Sequence, residues 1–187
     1  MLNNHSFPST SDVENSVRKW LENMVIGLNL CPFAKSVYIK NQVRIVVYEG
    51  EEDELLGCIE SELLYLQKTP DTEIDTTLVV VPHLLKDYYD FNDFLIYTDA
   101  LIEEMGLEGE IQIADFHPYY QFAGTQKEDI ENYTNRSPYP IFHLLRESSI
   151  DRAVEQFPDA AEIFERNISK MQTLGIEKLK TLLKTES

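Results

Sequence analysis

The stretch TTLVVV, residues 76–81, decides the fold class of this chain. It is a run of β-branched and apolar residues of strand length, and Pro82 ends it. A strand without polar alternation is typical of a sheet that is buried on both faces, as parallel sheets are. The run therefore predicts a central strand with helices packed on either side.

Similar signals lie on both sides of this strand. Residues 43–48 and 110–116 are predicted strands, and helical periods fill residues 51–68 and 91–105. Strands that alternate with helices of crossover length predict a β-α-β-α-β core with right-handed connections. We therefore expect an α/β fold with a small, mostly parallel sheet. An antiparallel strand within residues 119–123 and a ferredoxin-like arrangement are open alternatives.

Helices are also predicted at both ends of the chain. An apolar stripe indicates an N-terminal helix that begins at Ser11 or Asp12. Short helical pieces are predicted over residues 140–147 and 149–156, and Pro158 suits the first turn of a longer C-terminal helix. The sheet is thus expected to be packed by helices from both ends of the chain.

Charge and composition limit the classes of function. The chain has 187 residues and a formal net charge of −17. We therefore expect no broad positively charged surface that would bind nucleic acid or an anionic membrane. No apolar run approaches the ~18 residues of a membrane span, and no secretory signal is recognisable. We expect a cytoplasmic protein with a mobile tail over residues 1–11 and one domain over residues 12–185. The oligomeric state is left open.

Cys31 lies in the segment GLNLCPFA, residues 27–34. Proline is favoured in the first turn of a helix, so Cys31 is expected at or next to a helix N-cap before Pro32. The helix dipole there would favour a reactive thiolate. The alternative is a small buried hydrophobic residue, which is the usual state of a free cysteine. For Cys58, inside a predicted helix, the structural interpretation is preferred.

Asp115 and His117 lie in ADFHPYYQFAGT, residues 114–125, where the third predicted strand ends. Ligands of open α/β sheets bind outside the carboxyl ends of the strands. In an extended segment the two side chains point to the same face, so Asp115 is expected to orient His117 as a general base, acid or metal ligand. A structural histidine bonded to a carbonyl group is the alternative. His83 follows the second strand and is a weaker candidate for the same crevice.

The segment ENYTNRSPYPIFHLLRE, residues 131–147, is rich in hydrogen-bond donors. On the helix predicted there, His143 and Arg146 would share a face. We expect the polar residues of this segment to bind an anionic group. They are Asn132, Asn135, Arg136, Ser137 and Arg146. For Arg146 the alternative is an ion pair with one of the many carboxylates of the chain. The aromatic residues of the two segments, including Tyr120, are expected to be core or loop anchors.

The blocks GLNLCPFA, ADFHPYYQFAGT and ENYTNRSPYPIFHLLRE resemble the signature blocks of an uncharacterised bacterial family that is known only as a domain of unknown function. The resemblance covers nearly the whole chain, from the helix of Trp20 to the C-terminal helices. It implies family membership but no activity, cofactor or catalytic residue.

Three hypotheses of function follow from these residues. The first is an enzyme that acts on a small anionic substrate, with Cys31 as nucleophile, His117 as base or acid, Asp115 as its orienting group and His143 as a second proton-transfer group. The second is a transition-metal site, for zinc or iron, built on Cys31, His117 and His143. The third is a non-catalytic module that binds a small ligand or a partner protein.

Overall fold

A computed structural model describes residues 8–156 and 162–184. Four strands form one sheet: β1 (Val43–Val47), β2 (Thr76–Val80), β3 (Ile111–Phe116) and β4 (Ile141–Arg146). The helices among the described residues are α1 (Thr10–Trp20), α2 (Ala34–Ile39), α3 (Glu52–Lys68), α4 (Tyr88–Glu104), α5 (Glu147–Gln156), α6 (Glu162–Leu174) and α7 (Ile176–Leu183). The first continues as a π-helix (Leu21–Ile26), and a 3-10 helix spans Ile130–Thr134.

The strand order is β1-β2-β4-β3. Strands β1 and β2 are parallel, whereas β4 lies between β2 and β3 and is antiparallel to both. The α/β fold with a single sheet packed by helices is confirmed. The expectation of a mostly parallel sheet is wrong, because the sheet is mixed.

The antiparallel strand comes from a segment that the sequence analysis assigned to helix. Residues 140–147 were expected to be helical, but β4 occupies Ile141–Arg146. It carries apolar residues on both faces of the sheet, since Ile141 packs in one core cluster and Phe142 with Leu144 in the other. A strand buried on both faces shows no alternation, so its sequence pattern resembles that of a short buried helix.

Two apolar clusters fill the space on either side of the sheet. The first includes Trp20, Leu78 and Ile141 and is covered by the N-terminal and C-terminal helices. The second includes Val79 and Phe142 and is covered by α3 and α4. This arrangement agrees with the predicted burial of TTLVVV, whose residues in β2 are all buried.

The N-terminal helix begins slightly earlier than predicted. Ser9 caps α1, since its hydroxyl accepts from the Asp12 N–H while the Asp12 carboxylate accepts from the Ser9 N–H. The last part of the expected tail is therefore ordered by this cap. Residues 1–7 and the predicted helix start at Pro158 lie outside the described residues. None of the helices in the described part of the chain is long and apolar enough to cross a membrane.

Candidate functional site

One edge of the sheet collects most of the predicted site. Strands β1, β2 and β3 end there, and β4 begins there, because β4 alone runs in the opposite direction. We call it the upper edge. The connection between β3 and β4, residues 117–140, lies at this edge and is called the edge loop. It contains most of the unusual residues of the two sequence segments.

Asn132 holds the middle of the edge loop together. Its Oδ1 accepts from the Phe122 N–H and from the Thr125 hydroxyl, each at 2.9 Å, and its Nδ2 donates to the Gln126 carbonyl at 2.7 Å. The side chain is fully buried. All these partners belong to the loop itself, so Asn132 is a structural residue rather than a ligand contact.

The two arms of the edge loop are joined to each other. The His117 N–H donates to the Asn135 carbonyl at 3.3 Å, and Asn135 Nδ2 donates to the Asp115 carbonyl at 3.5 Å. Ser137, which is buried, donates its hydroxyl proton to the Tyr139 carbonyl. The hydroxyl of Ser137 and the amide of Asn135 thus also serve loop structure.

His117 has no free ring nitrogen. Its Nδ1 accepts from the Tyr119 N–H at 3.0 Å, which requires the proton on Nε2, and Nε2 donates to the Leu85 carbonyl at 3.0 Å. The side chain is fully buried, and burial lowers the pKa of His117. This neutral histidine fits the structural alternative, and neither Asp115 nor Cys31 bonds to its ring.

Asp115 faces a different group from the one expected. It lies on the α4 side of β3, close to Tyr88 and Tyr120, and burial raises the pKa of its carboxyl group. The ring centroids of the two tyrosines are 5.3 Å apart, and the centroid of the Tyr88 ring lies 5.5 Å from that of the His117 ring. The expected Asp115–His117 pair is therefore replaced by a carboxyl group beside two phenols.

Arg136 is buried, with 8% of its surface exposed. Its Nη2 donates to the Lys127 carbonyl at 2.6 Å, its Nε donates to the Tyr120 carbonyl at 3.4 Å, and its guanidinium carbon lies 4.3 Å from the centroid of the Tyr133 ring. The Arg136 carbonyl in turn accepts from Trp20 Nε1 at 3.0 Å. The guanidinium is positioned firmly at the upper edge.

His143 lies in the middle of β4 and not at the upper edge. The Thr76 hydroxyl donates to the Leu144 carbonyl at 2.6 Å, so it accepts the proton of His143 Nε2 at 2.8 Å. The ring also packs against Phe116 at 5.8 Å. Burial of the ring lowers the pKa of His143 to about 4, so the side chain is neutral at pH 7. It cannot join a site with Arg146, because residues three apart in a strand point to opposite faces.

Arg146 lies at the lower end of β4 and binds the main chain. Its Nη2 donates to the carbonyl oxygens of Leu66, Thr69 and Ile74, where α3 ends. Its Nε is a buried donor without a partner among the described residues. The structure thus separates Arg146 from Arg136 by the length of a strand, and the two do not form one anion clamp.

Cys31 is not at a helix N-cap. The residue at that position of α2 is Phe33, two residues later, and α2 is only six residues long. Cys31 packs against the first apolar cluster with its side chain partly buried, and Cys58 packs against the second. The hypothesis of an activated thiol depended on a helix dipole at Cys31 and on a bond to His117. The structure shows neither of them.

The metal hypothesis also lacks a ligand cluster. Within residues 8–156 and 162–184, no group of three or more His, Cys, Asp or Glu side chains is arranged to hold a metal ion. His83 lies just after β2 at the upper edge, as expected, and is partly buried. The two histidines of the hypothesis, His117 and His143, use Nε2 in bonds to protein oxygens.

Sequence reasoning missed two residues of the upper edge. Tyr88 was not singled out, and Tyr120 was expected to be only an anchor. A third feature, the left-handed backbone of Leu85 with φ 50°, is unusual for a leucine. The only sequence signal was the position of Tyr88 a few residues beyond the carboxyl end of β2, which is the end where ligands bind.

The family resemblance of the sequence is confirmed by comparison with known proteins. The model of a family described as Protein of unknown function (DUF1415) matches residues 12–181. Comparison with curated proteins and with solved structures found no match. Since the match extends over most of the chain, from α1 to the last turns of α7, the chain belongs to the DUF1415 family.

Proposed function

We propose that this protein binds a small anionic molecule at the upper edge of its sheet, with Arg136 as the main contact. The observation that carries the proposal is a buried guanidinium that no carboxylate neutralises among the described residues. The remaining donors of the edge loop hold the loop in shape around this group.

Among the described residues, Arg136 is the only buried lysine or arginine. A buried charge is costly unless it is paired, and the chain has 33 acidic residues that offer partners. The ion pairs of the described residues involve Arg18, Arg44, Arg152 and Lys180, but not Arg136. An anionic ligand would supply the missing negative charge.

The geometry leaves one side of the guanidinium for such a ligand. Carbonyl oxygens occupy Nε and Nη2, and Tyr133 covers one face of the plane. No hydrogen bond of the described residues engages Nη1, whose two protons suit an oxygen of a carboxylate, sulfate or phosphate. Because the carbonyl groups fix the plane, the ligand meets a preorganised donor and little side-chain entropy is lost on binding.

The test uses inorganic sulfate, which keeps its charge between pH 5 and 9. Isothermal titration is performed on the wild type, on Arg136→Gln and on Arg18→Gln, in sodium chloride of matched ionic strength. Arg18 is a partly exposed arginine that pairs with Glu14 at 2.7 Å, so it controls for loss of a charge. We expect saturable binding to the wild type and to Arg18→Gln.

For Arg136→Gln we expect affinity at least ~10-fold weaker, the typical effect of losing a charge-assisted hydrogen bond. Sulfate also stabilises proteins by exclusion from their surface, so a thermal shift alone does not count as binding. The proposal is wrong if the wild type shows no saturable heat, or if Arg136→Gln, folded by circular dichroism, binds sulfate as well as the wild type does.

A further inference from the structure

A small cavity lies at the lower end of β4, away from the edge that carries the proposed anion site. Its volume is about 230 Å³, and its walls are formed by Gln67, Gly109, Glu110, Ile111, Arg146 and Ser148. Liquid water takes about 30 Å³ per molecule, so the cavity has room for roughly seven water-sized groups. This is below the usual range of pockets for drug-sized ligands, and it suits a small metabolite.

Arg146 supplies the positive charge of this cavity. Its Nη2 donates to the carbonyl oxygens of Leu66, Thr69 and Ile74, and these bonds fix the plane of the guanidinium. Neither Nε nor Nη1 has a hydrogen-bond partner among the described residues, but only Nε is buried. Nη1 is therefore the donor of Arg146 that a ligand in the cavity can reach.

Glu110 supplies a negative charge to the same cavity. Its Oε2 accepts from Gln67 Nε2 at 3.2 Å, and its main-chain carbonyl accepts from the Glu147 N–H at 2.9 Å. The residue is exposed, and one amide proton does not use all the acceptor sites of a carboxylate. The carboxylate is thus held in place and can still accept from a ligand.

The two charges line one cavity without pairing with each other. None of the ion pairs of the described residues joins Glu110 to Arg146, although Arg146 is the register partner of the next residue, Ile111. Each side chain is anchored separately to α3 or to the segment after it, Arg146 through carbonyl groups and Glu110 through Gln67. These anchors keep the two charges apart, and a molecule that carries both charges fits between them.

We propose that this cavity binds a small zwitterionic α-amino acid, whose carboxylate accepts from Arg146 and whose ammonium group donates to Glu110. The end of α3 already compensates the charge of Arg146, and Glu110 adds a negative charge, so a simple anion meets no surplus positive charge here. A zwitterion is neutral overall and complements both walls. The volume favours an amino acid of the size of glycine, alanine or serine.

The experiment titrates L-alanine into nitrogen-15-labelled protein and follows the amide resonances by nuclear magnetic resonance, which also measures weak binding. The N–H groups of Gly109 and Ser148 report on the cavity walls, and we expect saturable shifts at both. Two ligands of matched size each lack one charge. L-lactate has a hydroxyl group in place of the ammonium group, and L-alaninol has one in place of the carboxylate. Each should bind at least ~5-fold more weakly than alanine.

A variant then tests the role of Glu110. Glu110→Gln keeps an oxygen that accepts from Gln67 but removes the charge, so the fold should be retained. Its affinity for alanine should fall about 5-fold, as expected for loss of a partly exposed ion pair, whereas its affinity for lactate should not fall. The matched control is Glu108→Gln, since Glu108 is exposed and does not line the cavity. This control should bind alanine as the wild type does.

The proposal is overturned if alanine gives no saturable shifts, if lactate binds the wild type as tightly as alanine does, or if Glu110→Gln keeps the full affinity for alanine. Arg136→Gln should bind alanine as the wild type does, because its guanidinium lies near the other end of β4. The amino-acid site and the anion site are thus tested by different ligands and different variants, and either can fail without the other.

Discussion

Two arginines of this protein lie near opposite ends of β4, and both are held by main-chain carbonyl groups. Arg146, at the lower end, binds Leu66, Thr69 and Ile74 oxygens around the end of α3. Arg136, just before the upper end, binds the Tyr120 and Lys127 oxygens of an irregular loop. Neither forms an ion pair with a described carboxylate.

The difference lies in the origin of the carbonyl groups. The carboxyl end of a helix carries about half a negative charge, which compensates a cation placed there. Arg146 therefore has its counter-charge in α3, a helix of 17 residues. The loop carbonyl groups at Arg136 give no such aligned dipole. The same donor pattern thus supplies a counter-charge to Arg146 at the lower end, whereas at the upper end it leaves the charge of Arg136 for the proposed ligand.

Replacement of Arg146 should produce the largest loss of stability. Arg146→Met removes charge-assisted hydrogen bonds to three carbonyl groups, and each such bond contributes roughly 1.5–3 kcal/mol. Because the three share one nitrogen, we expect a decrease of about 4 kcal/mol in the free energy of unfolding, measured with urea. Sulfate binding should remain under conditions where the variant is folded.

A loss below about 1 kcal/mol, or a loss of sulfate binding in the folded variant, would reverse the roles assigned to the two arginines. Arg152→Met provides the matched control, since Arg152 is an exposed arginine that pairs with Asp71 at 2.9 Å. Exposed ion pairs contribute little, so the control should lose less than about 1 kcal/mol.

Acid should destabilise the middle of β4 by the next largest amount. The folded pKa of His143 is about 4, below the ordinary value near 6.5 in the unfolded chain. Its contribution to stability is therefore complete above pH 6.5 and is lost as the pH falls towards 4. The loss is about 3 kcal/mol at pH 4. The lowered pKa of His117 acts in the same direction.

Urea unfolding at pH 7, 5.5 and 4 checks this expectation. His143→Gln keeps a nitrogen donor for Thr76 but does not titrate, so its stability should fall less over this range than that of the wild type. Arginine does not titrate in this range, so the loss of stability in acid reports on the histidines and not on Arg136 or Arg146. Equal slopes for the variant and the wild type would show that His143 is not desolvated.

Removal of the Asn132 side chain should have a smaller effect on stability and should disturb the upper end alone. Asn132→Ala leaves the Phe122 N–H without its acceptor and removes one of the two acceptors of the Thr125 hydroxyl, which also donates to the Phe122 carbonyl. We expect a loss of about 2 kcal/mol and weaker sulfate binding, because the Lys127 carbonyl that holds Arg136 lies in the same loop. Asn92→Ala, at an exposed site on α4, is the control. Unchanged affinity would mean that the loop does not position Arg136.

Much of the fold could be predicted from the sequence, because β1, β2 and β3 alternate with amphipathic helices of the right length. The mixed sheet could not. Whether IFHLLR forms a strand depends on partners on both sides, β2 and β3, that are distant in sequence. Local periodicity cannot report such pairing, so the short apolar run was assigned to helix.

The positions of several candidate residues could be predicted from the sequence, but the groups that they contact could not. The upper edge was expected from the strand ends, and Arg136, Asp115 and His117 do lie there. Their partners are mostly main-chain atoms, such as the Leu85 carbonyl and the Tyr119 N–H at His117. Residue types do not reveal which main-chain groups a side chain meets, and so the expected His117–Asp115 pair was wrong.

The smallest expected effect is a change in the reactivity of Cys58. This residue lies on α3, the helix whose end Arg146 binds, so its labelling rate reports on the lower end alone. Burial raises the pKa of its thiol, so the reactive thiolate is scarce in the folded protein. Iodoacetamide at pH 7.5, followed by mass spectrometry, should label Cys58 several-fold more slowly than a free cysteine peptide.

If Arg146 holds α3 in place, Arg146→Met should raise the labelling rate of Cys58 at a temperature where the variant is still folded, because a loosened helix exposes the thiol more often. Arg136→Gln should leave the rate unchanged, since the edge loop lies at the other end of β4. Equal acceleration in both variants would mean that both arginines stabilise the whole domain, and the assigned difference between them would be lost.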